Sequence, residues 1–251
     1  MEDVITEVIE ARAKRAPLWN IAFMLSNEDF ILAGGCLVMN KPNDYDVFPT
    51  NNKQFNRSAI KSAVRSLNTS KRECKVVYES RNALTVKCDG KLIQFCDYYH
   101  DNLEGLVESF DYSHIQVGAY IYCHETDCGG VDTPSVEQIY FTRAYMLSLV
   151  SGETEFVGSN YPLGSLMRLR KYTDRGLVSK SDYRRNVLVI LNAIVRRGFK
   201  DYDDFKDQLE AVDLLVLERD ESNAAWNLWL TCCNRGLVTD TSVVDDEMRE
   251  D

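Results

Sequence analysis

The sequence predicts an α+β protein in which a mixed-sheet head is followed by an all-helical C-terminal domain. Residues 30–49 contain two apolar strand patterns separated by a Gly-Gly turn, and residues 75–96 alternate like a β-meander. Asp89-Gly90, inside that meander, is a strong signal for a hairpin turn. From Pro134 onward the apolar residues recur at helical spacing instead. The change of period predicts that a sheet-containing part precedes a helical part.

Within the head, each predicted element follows from its local pattern. Apolar residues at helical spacing predict two short helices near the N-terminus, and polar turn residues then lead into the first strand. After the second strand, asparagines precede a further set of apolar residues at helical spacing. They are candidate N-caps for a helix there. Predicted helices cover residues 3–15, 18–25 and 53–67, and predicted strands cover residues 30–33, 44–49, 75–80, 83–88, 91–96 and 113–122, the last as an edge strand.

The C-terminal part is predicted to contain helices only. Pro134 fits the first position of a helix, and a stripe from Val136 to Val150 continues that helix. Gly176 is the expected stop of a further helix. The remaining predicted helices cover residues 165–176, 183–197 and 202–217, and a last one is packed through Trp226 and Trp229. The expected domains are therefore 1–125 for the head, 126–237 for the helical domain and 238–251 for an acidic, disordered tail.

Composition limits the classes of function and the compartment. The formal net charge is −10 at pH 7, which argues against tight non-specific binding to nucleic acid. No apolar run approaches the roughly 20 residues of a membrane span, and the N-terminus lacks a signal-peptide pattern. The eight cysteines have no framework spacing, and Cys123, His124 and Cys128 lack a second ligand pair at zinc-site spacing. We therefore expect a protein of the reducing cytoplasm, or of the host cytoplasm if the chain is viral, that does not bind a membrane.

Asp44 and Asp46 are the main candidates for metal ligands. Side chains alternate across a strand, so these two carboxylates point to one side while Tyr45 points to the other. Two carboxylates at this spacing repel each other unless a cation lies between them, and hard oxygen ligands suit Mg²⁺ or Mn²⁺. Gly34-Gly35, just upstream, allows backbone N–H groups to approach a phosphate. Together the two parts predict a site for a metal-bound triphosphate.

These residues resemble the signature of the nucleotidyltransferase superfamily, which includes DNA polymerase beta, poly(A) polymerases and CCA-adding enzymes. The signature is an apolar strand, Gly-Gly or Gly-Ser, a spacer, and Asp-x-Asp on the next strand; here it is Gly34-Gly35, eight residues, then Asp44 and Asp46. The resemblance implies a magnesium- or manganese-dependent enzyme that transfers an NMP from an NTP, such as ATP, to a hydroxyl acceptor. The acceptor would be an RNA 3′ end of tRNA-like kind, a small molecule or a protein.

Two further stretches are similar to a viral and eukaryotic subgroup of nucleotidyltransferase-like proteins. One runs from Gln94-Phe95 to Ser109-Phe110-Asp111, and the other is the basic segment 168–176. The match to CCA-adding enzymes is poorer, because Val38, Met39 and Asn40 stand where those enzymes have an Arg-Asp pair.

In the resembled fold a third carboxylate lies on the strand returning from the hairpin, where this chain has Gln94. Asp97 is a candidate catalytic residue. Strand parity places it on the face of the sheet opposite to Gln94 unless a bulge intervenes. Asp111 is the other candidate for the third acid. The site is thus either a two-carboxylate version or one that takes its third acid from elsewhere.

Lys171, together with Arg168 or Arg175, is predicted to clamp the nucleotide phosphates, since the three share one face of a helix. The alternative for this trio is a solvated helix face or a set of interdomain ion pairs.

Two other functions remain open. In the first, a catalytically degenerate nucleotidyltransferase fold binds a nucleotide or a protein partner without turnover. This function is supported by Gln94, which stands where the resembled fold has its third carboxylate. In the second, an unrelated α+β interaction protein carries Gly-Gly and Asp-x-Asp by coincidence. The patterns of P-loop NTPases and Rossmann dehydrogenases are absent.

Overall fold

The computed structural model describes residues 1–42, 44–50, 54–80, 82–97, 100–123, 134–210 and 229–238. It forms two compact units, Met1–Ser151 and Gly152–Asp251. The helices of the first unit are α1 (Glu2–Ala13), α2 (Leu18–Met24), α3 (Gly35–Val38), α4 (Arg57–Leu67), α5 (Leu103–Glu108) and α6 (Arg143–Ser151). Its strands are β1 (Phe30–Ala33), β2 (Asp44–Pro49), β3 (Cys74–Glu79), β4 (Ala83–Cys88), β5 (Lys91–Cys96), β6 (Val117–Tyr122) and β7 (Ser135–Phe141). The second unit contains α7 (Pro162–Asp174), α8 (Lys180–Arg197) and α9 (Tyr202–Glu210).

The strands of the first unit form a seven-stranded sheet in the order β3-β4-β5-β2-β1-β6-β7. All neighbouring pairs are antiparallel except β2 and β5, which are parallel. The sheet is therefore mixed, as predicted, and β2 lies at its centre. Strand β6, which we expected at an edge, lies between β1 and β7.

The two faces of the sheet pack differently, because alternate side chains of each strand point to opposite sides. On one face, Leu32, Val47 and Phe95 belong to the large core that α1, α2 and α4 cover. On the other face a smaller cluster joins the sheet to α5, and its buried members are Ile31, Ala33, Phe48, Leu103, Leu106 and Val107. Asp44 and Asp46 share the parity of Phe48, so they belong to this second face.

The α+β architecture is confirmed, but the helix predicted from Pro134 is wrong in its first half. Residues 135–141 form β7, which pairs with β6 from Val117↔Phe141 to Tyr122↔Ser135, and the helix begins only at Arg143. Val136, Ile139 and Phe141 pack against the large core, and β-branched and aromatic side chains suit a strand. Pairing with β6 also satisfies the backbone groups of this segment.

The division between the units falls after Ser151, whereas the sequence pattern predicts it after residue 125. The difference follows from β7 and α6, which belong to the first unit. Residues 239–251, where we expect the disordered tail, lie outside the described residues, as do Trp226, His124 and Cys128.

The second unit contains the helices that the sequence predicts, with shifted ends. Gly176 has a φ of +73° directly after α7, a backbone conformation that favours glycine at a helix stop. The ring centroid of Phe205, on α9, lies 5.5 Å from that of Trp229 and 5.2 Å from that of Phe199. Trp229 therefore packs the last helical segment against α9, as expected. None of the described helices combines the length and apolar character needed to cross a bilayer.

Candidate functional site

The turn after β1 lies against the central strand. Gly34 has φ +75° and ψ −139°, which is essentially a glycine conformation, and it leads directly into α3. A Cβ atom on Gly34 would lie 3.9 Å from Oδ2 of Asp46 and 3.8 Å from the ring of Phe110. The diglycine turn and the second aspartate, ten or so residues apart in the signature, are therefore neighbours in space.

Asp44 and Asp46 are half-buried residues of β2, while Tyr45 between them is buried on the other face. In the β1–β2 ladder, Asp46 lies opposite Ala33, the last residue of β1. Both carboxylates also act on Cys36 of α3: burial raises the pKa of the Cys36 thiol, and Asp46 and then Asp44 raise it further. Cys36 is thus held as a neutral thiol, and the two carboxylates face the start of α3.

Gln94 occupies the position on β5 directly opposite Asp46. This is where the resemblance calls for a third carboxylate, so the register agrees with the sequence-based placement of the amide. Cys96, two residues further on, has its pKa raised well above the usual value by burial first and by Asp46 second. Among the described residues, no group of three or more His, Cys, Asp or Glu side chains is arranged to hold a metal ion.

Asp97 is engaged in a structural ion pair. Its carboxylate accepts hydrogen bonds from the backbone N–H of Phe55 at 3.2 Å and from Nε of Arg57 at 2.9 Å. The side chain of Asp97 is only 8% exposed, and that of Arg57 is 22% exposed. Phe55 packs edge-on against Phe95, whose ring belongs to the large core, so Asp97 is tied to the α4 side of the sheet. This agrees with strand parity; the catalytic role of Asp97 stays a prediction.

Asp111, the other candidate for a third acid, is 4% exposed and lies near His114.

Phe110, the residue before Asp111, lies beside the diglycine turn. The centroid of its ring lies 5.9 Å from that of Phe48, and the ring flanks Gly34. Gln116 holds the backbone here by donating from Nε2 to the carbonyl oxygen of Phe110 at 3.1 Å. From the sequence, Phe110 is recognised only as part of the Ser109-Phe110-Asp111 motif, because no residue spacing predicts which aromatic side chain will line a site.

The basic residues on α4 are neutralised in part by acids from the meander. Lys61 Nζ lies 2.6 Å from Glu79 Oε2, and Arg57 Nη1 lies 3.6 Å from Glu79 Oε1. The side chains of α4 thus form ion pairs within the head.

The predicted phosphate clamp lies on α7 of the second unit. Arg168 is half-buried and donates to the Ser165 hydroxyl at 3.4 Å, Lys171 is half-buried, and Arg175 is exposed at the end of the helix. The contact of these side chains with a nucleotide stays a prediction.

The donor set at the head fits a divalent cation. Two carboxylates on one strand face provide hard, charged oxygen atoms, which Mg²⁺ and Mn²⁺ prefer, and water and substrate phosphates usually complete such a coordination sphere. Gly34 has no side chain to fill the space between the turn, Asp46 and Phe110.

Fold and site define a class: a two-unit α+β protein whose central strand carries two aspartates beside a diglycine turn. Residues 3–149 match the family model Gad2, described as Gabija anti-defense 2 family protein. The match covers more than half of the chain, and the chain belongs to the Gabija anti-defense 2 family.

Solved structures were compared as well. Two structures of a tRNA-processing enzyme, titled apo form I and apo form 2, align with TM-scores of 0.43 and 0.42 at 11% and 12% identity. The alignments cover 92% and 89% of this chain but only 56% and 58% of the other chains, so the chain spans less than two thirds of their length. No match was found among curated proteins.

Proposed function

We propose that the chain counteracts Gabija defence through a nucleotidyltransferase site in its head. The observation that supports this best is the placing of Asp46 within contact of Gly34, with Asp44 on the same face of the central strand. The anti-defence role comes from the family to which the chain belongs. The substrate would be an NTP, and the acceptor a hydroxyl group of an RNA 3′ end, a small molecule or a protein.

In this proposal Asp44 and Asp46 hold Mg²⁺ or Mn²⁺. A bound divalent cation would neutralise phosphate charge and lower the pKa of an attacking hydroxyl group. The protein itself does the positioning. The backbone at Gly34 and Gly35 receives the phosphates, Phe110 and Phe48 wall the site on the α5 side, and Gln94 offers an amide for a hydrogen bond to substrate. Lys171, with Arg168 or Arg175, would bind the outer phosphates.

The proposal places the chain in the cytoplasm of the cell in which Gabija operates, without a membrane partner. Nucleotide binding should therefore depend on a divalent cation, since carboxylates and a triphosphate, all negatively charged, would repel each other without one.

The first prediction concerns the double variant Asp44→Asn/Asp46→Asn. It should lose NTP affinity by about 100-fold, because the divalent cation that would bind the phosphates loses both of its carboxylate ligands from the protein. Calorimetric titration with NTPs in the presence of Mg²⁺ measures this, and a labelled-nucleotide transfer assay measures turnover.

A matched control is Asp3→Asn/Asp203→Asn, which removes the same two charges from exposed helix positions. It should bind like wild type. If the Asp44/Asp46 variant is folded and still binds and transfers nucleotide as wild type does, the proposal fails.

A second function is favoured by one observation: Gln94, an amide, lies opposite Asp46 where a third acid is expected. On this alternative the site binds a nucleotide, or the chain binds a protein partner, without turnover. Incubation with labelled NTPs, Mg²⁺ or Mn²⁺ and total RNA separates the two. A labelled product supports the transferase, whereas retained nucleotide without product supports the binding protein.

A further inference from the structure

A groove of about 330 Å³ lies between α7 and α8 in the second unit. This volume is large enough to hold several groups of the size of a water molecule. The lining comes from the end of one helix and the beginning of the next: Arg170, Thr173, Asp174, Lys180, Tyr183 and Arg184. The groove is separate from the residues of the head and lies outside residues 3–149, which the family model matches.

The chain around this groove is basic, although the protein as a whole is acidic. Residues 168–185 contain seven Lys and Arg against two Asp, a formal net charge of +5 in a chain whose net charge is −10. A concave surface with charge of one sign concentrates counter-ions of the other sign. The groove lining itself carries three cations, Arg170, Lys180 and Arg184, against one carboxylate, Asp174, so its charge favours an anion although the molecule as a whole is acidic.

Lys180 and Arg184 on α8 are the least compensated of these cations. They are one helical turn apart, so their like charges oppose each other, and both are exposed. Lys180 is also the first residue of an 18-residue helix, where the helix dipole disfavours a cation. Within the described part of the chain, neither side chain forms a hydrogen bond or an ion pair.

The adjacent Arg185 provides a contrast. It reaches Asp182 at 3.1 Å and Glu153 at 3.4 Å, so its charge is used within the protein. The folded unit thus pairs Arg185 internally and leaves Lys180 and Arg184, which line the groove, to solvent. An anion between Lys180 and Arg184 would relieve both their mutual repulsion and the unfavourable position of Lys180.

The opposite wall adds donors. Arg170 Nε lies 3.9 Å from Asp174 Oδ2, and both side chains are more than two-thirds exposed, so this pair is loose and screened. On the α8 side, the half-buried residue Tyr183 also belongs to the lining and carries a hydroxyl group. Several N–H and O–H donors, three of them charged, therefore converge on one small groove from two helices.

We propose that this groove is an anion site that binds the phosphate groups of a phosphorylated ligand, independently of Asp44 and Asp46. Guanidinium and ammonium groups with a hydroxyl donor match phosphate oxygens, which accept several charge-assisted hydrogen bonds at once. The phosphates come either from a free polyphosphate such as that of a nucleotide or from the phosphodiesters of a nucleic acid.

The test uses the full chain in EDTA, so that metal-dependent binding at the head does not contribute. Inorganic pyrophosphate and a single-stranded oligonucleotide are titrated in turn. Arg184→Ala should weaken binding of the ligand by about 10-fold, the equivalent of one charge-assisted hydrogen bond. The matched control is Arg196→Ala, which removes an exposed arginine from the other end of the same helix and should leave the affinity within about twofold.

Both arms have defined outcomes. Binding of pyrophosphate that depends on Arg184 and is at least as tight as that of the oligonucleotide identifies a polyphosphate source, and binding of the oligonucleotide that depends on Arg184 and is tighter than that of pyrophosphate identifies a nucleic-acid source. The inference is overturned if wild type binds neither probe, or if Arg184→Ala and Arg196→Ala bind equally well.

Lys180→Gln keeps the test independent of folding. Because a cation at a helix N-terminus is unfavourable, this variant should melt at the same temperature as wild type or higher, while it binds the probe more weakly. A variant that melts normally and binds normally counts against the site. Nucleotidyl transfer at the head plays no part in these measurements, so failure of one proposal does not decide the other.

Discussion

At the scale of single residues, His114 shows how burial sets a chemical property. It is 7% exposed, and burial lowers its pKa to about 4, although the nearby carboxylate of Asp111 acts in the opposite direction. The folded protein therefore keeps His114 neutral at pH values where an unfolded histidine, with a pKa of about 6.5, takes up a proton.

The sign of the pH dependence follows. Between about pH 6.5 and pH 4 the unfolded state binds more protons at this residue than the folded state, so stability falls as the pH falls. We predict that the free energy of unfolding drops by about 2 kcal/mol through His114 alone between pH 7 and pH 5. Urea denaturation at the two pH values measures it.

His114→Phe is the comparison, because it keeps a ring beside Tyr112 but cannot titrate. Other groups titrate in both proteins, so the difference between the two pH dependences isolates His114. Identical pH dependences would contradict the prediction.

Residue-scale prediction from sequence worked where the information was local. Strand alternation alone placed Asp44 and Asp46 on one side, and the hairpin at Asp89-Gly90 placed Gln94 at mid-strand, where it lies opposite Asp46. The partner of Asp97 was not predictable in this way, because Arg57 lies on another element and no periodicity connects the two.

At the scale of elements, the Asp97–Arg57 pair joins the end of β5 to the start of α4. Asp97 accepts from both the Phe55 backbone and the Arg57 side chain, and it is largely buried. A charge that loses its partner in such a place is costly, while the partial exposure of Arg57 moderates the loss.

We predict that Asp97→Asn lowers the free energy of unfolding by about 2 kcal/mol, since it removes the nearer of two carboxylates beside the Arg57 guanidinium and leaves Glu79, which lies 3.6 Å from Nη1. Urea denaturation measures this, and a double-mutant cycle with Arg57→Gln should return most of the loss as coupling between the two residues. The rate of nucleotide transfer by the folded variant decides the catalytic role. A loss of turnover at unchanged stability would favour catalysis by Asp97, and the reverse result would assign it to structure.

The error at β7 has an elementary cause. Val136, Ile139 and Tyr140 fit a helical stripe, but a short apolar run fits a strand as well, and local pattern does not decide between them. Strand β6 favours the strand conformation, because the N–H and C=O groups along one of its edges need hydrogen-bond partners, which β7 supplies. That requirement is a property of the assembled sheet, so the sequence pattern of residues 134–150 does not contain it.

At the scale of the whole molecule, the described residues of the first unit form two clusters of buried apolar side chains whose members all lie within that unit. The large cluster extends from Ile9 to Tyr145, and the smaller one from Ile31 to Val107. Since burial of such clusters is the main stabilising contribution in a domain, the first unit has a core of its own.

We predict that residues 1–151 fold as an isolated fragment and unfold in a single cooperative urea transition. A fragment ending at residue 125, the division that the sequence analysis expected, removes β7 and α6 and should be markedly less stable, because β6 then becomes an unpaired edge. Circular dichroism during denaturation compares the two. Equal stability of the fragments, or a non-cooperative transition for 1–151, would contradict this prediction.

The position of β2 between β1 and β5 also has a consequence for the order of folding. Strand β1 precedes β2 closely in the chain, so their antiparallel pairing closes a short loop, whereas β5 arrives only after α4, β3 and β4. Closing the longer loop costs more chain entropy, and parallel pairing over such a distance is slow. We therefore expect the two aspartates to meet the diglycine turn early and Gln94 late, so that the part of the candidate site carrying the aspartates forms before the part carrying Gln94.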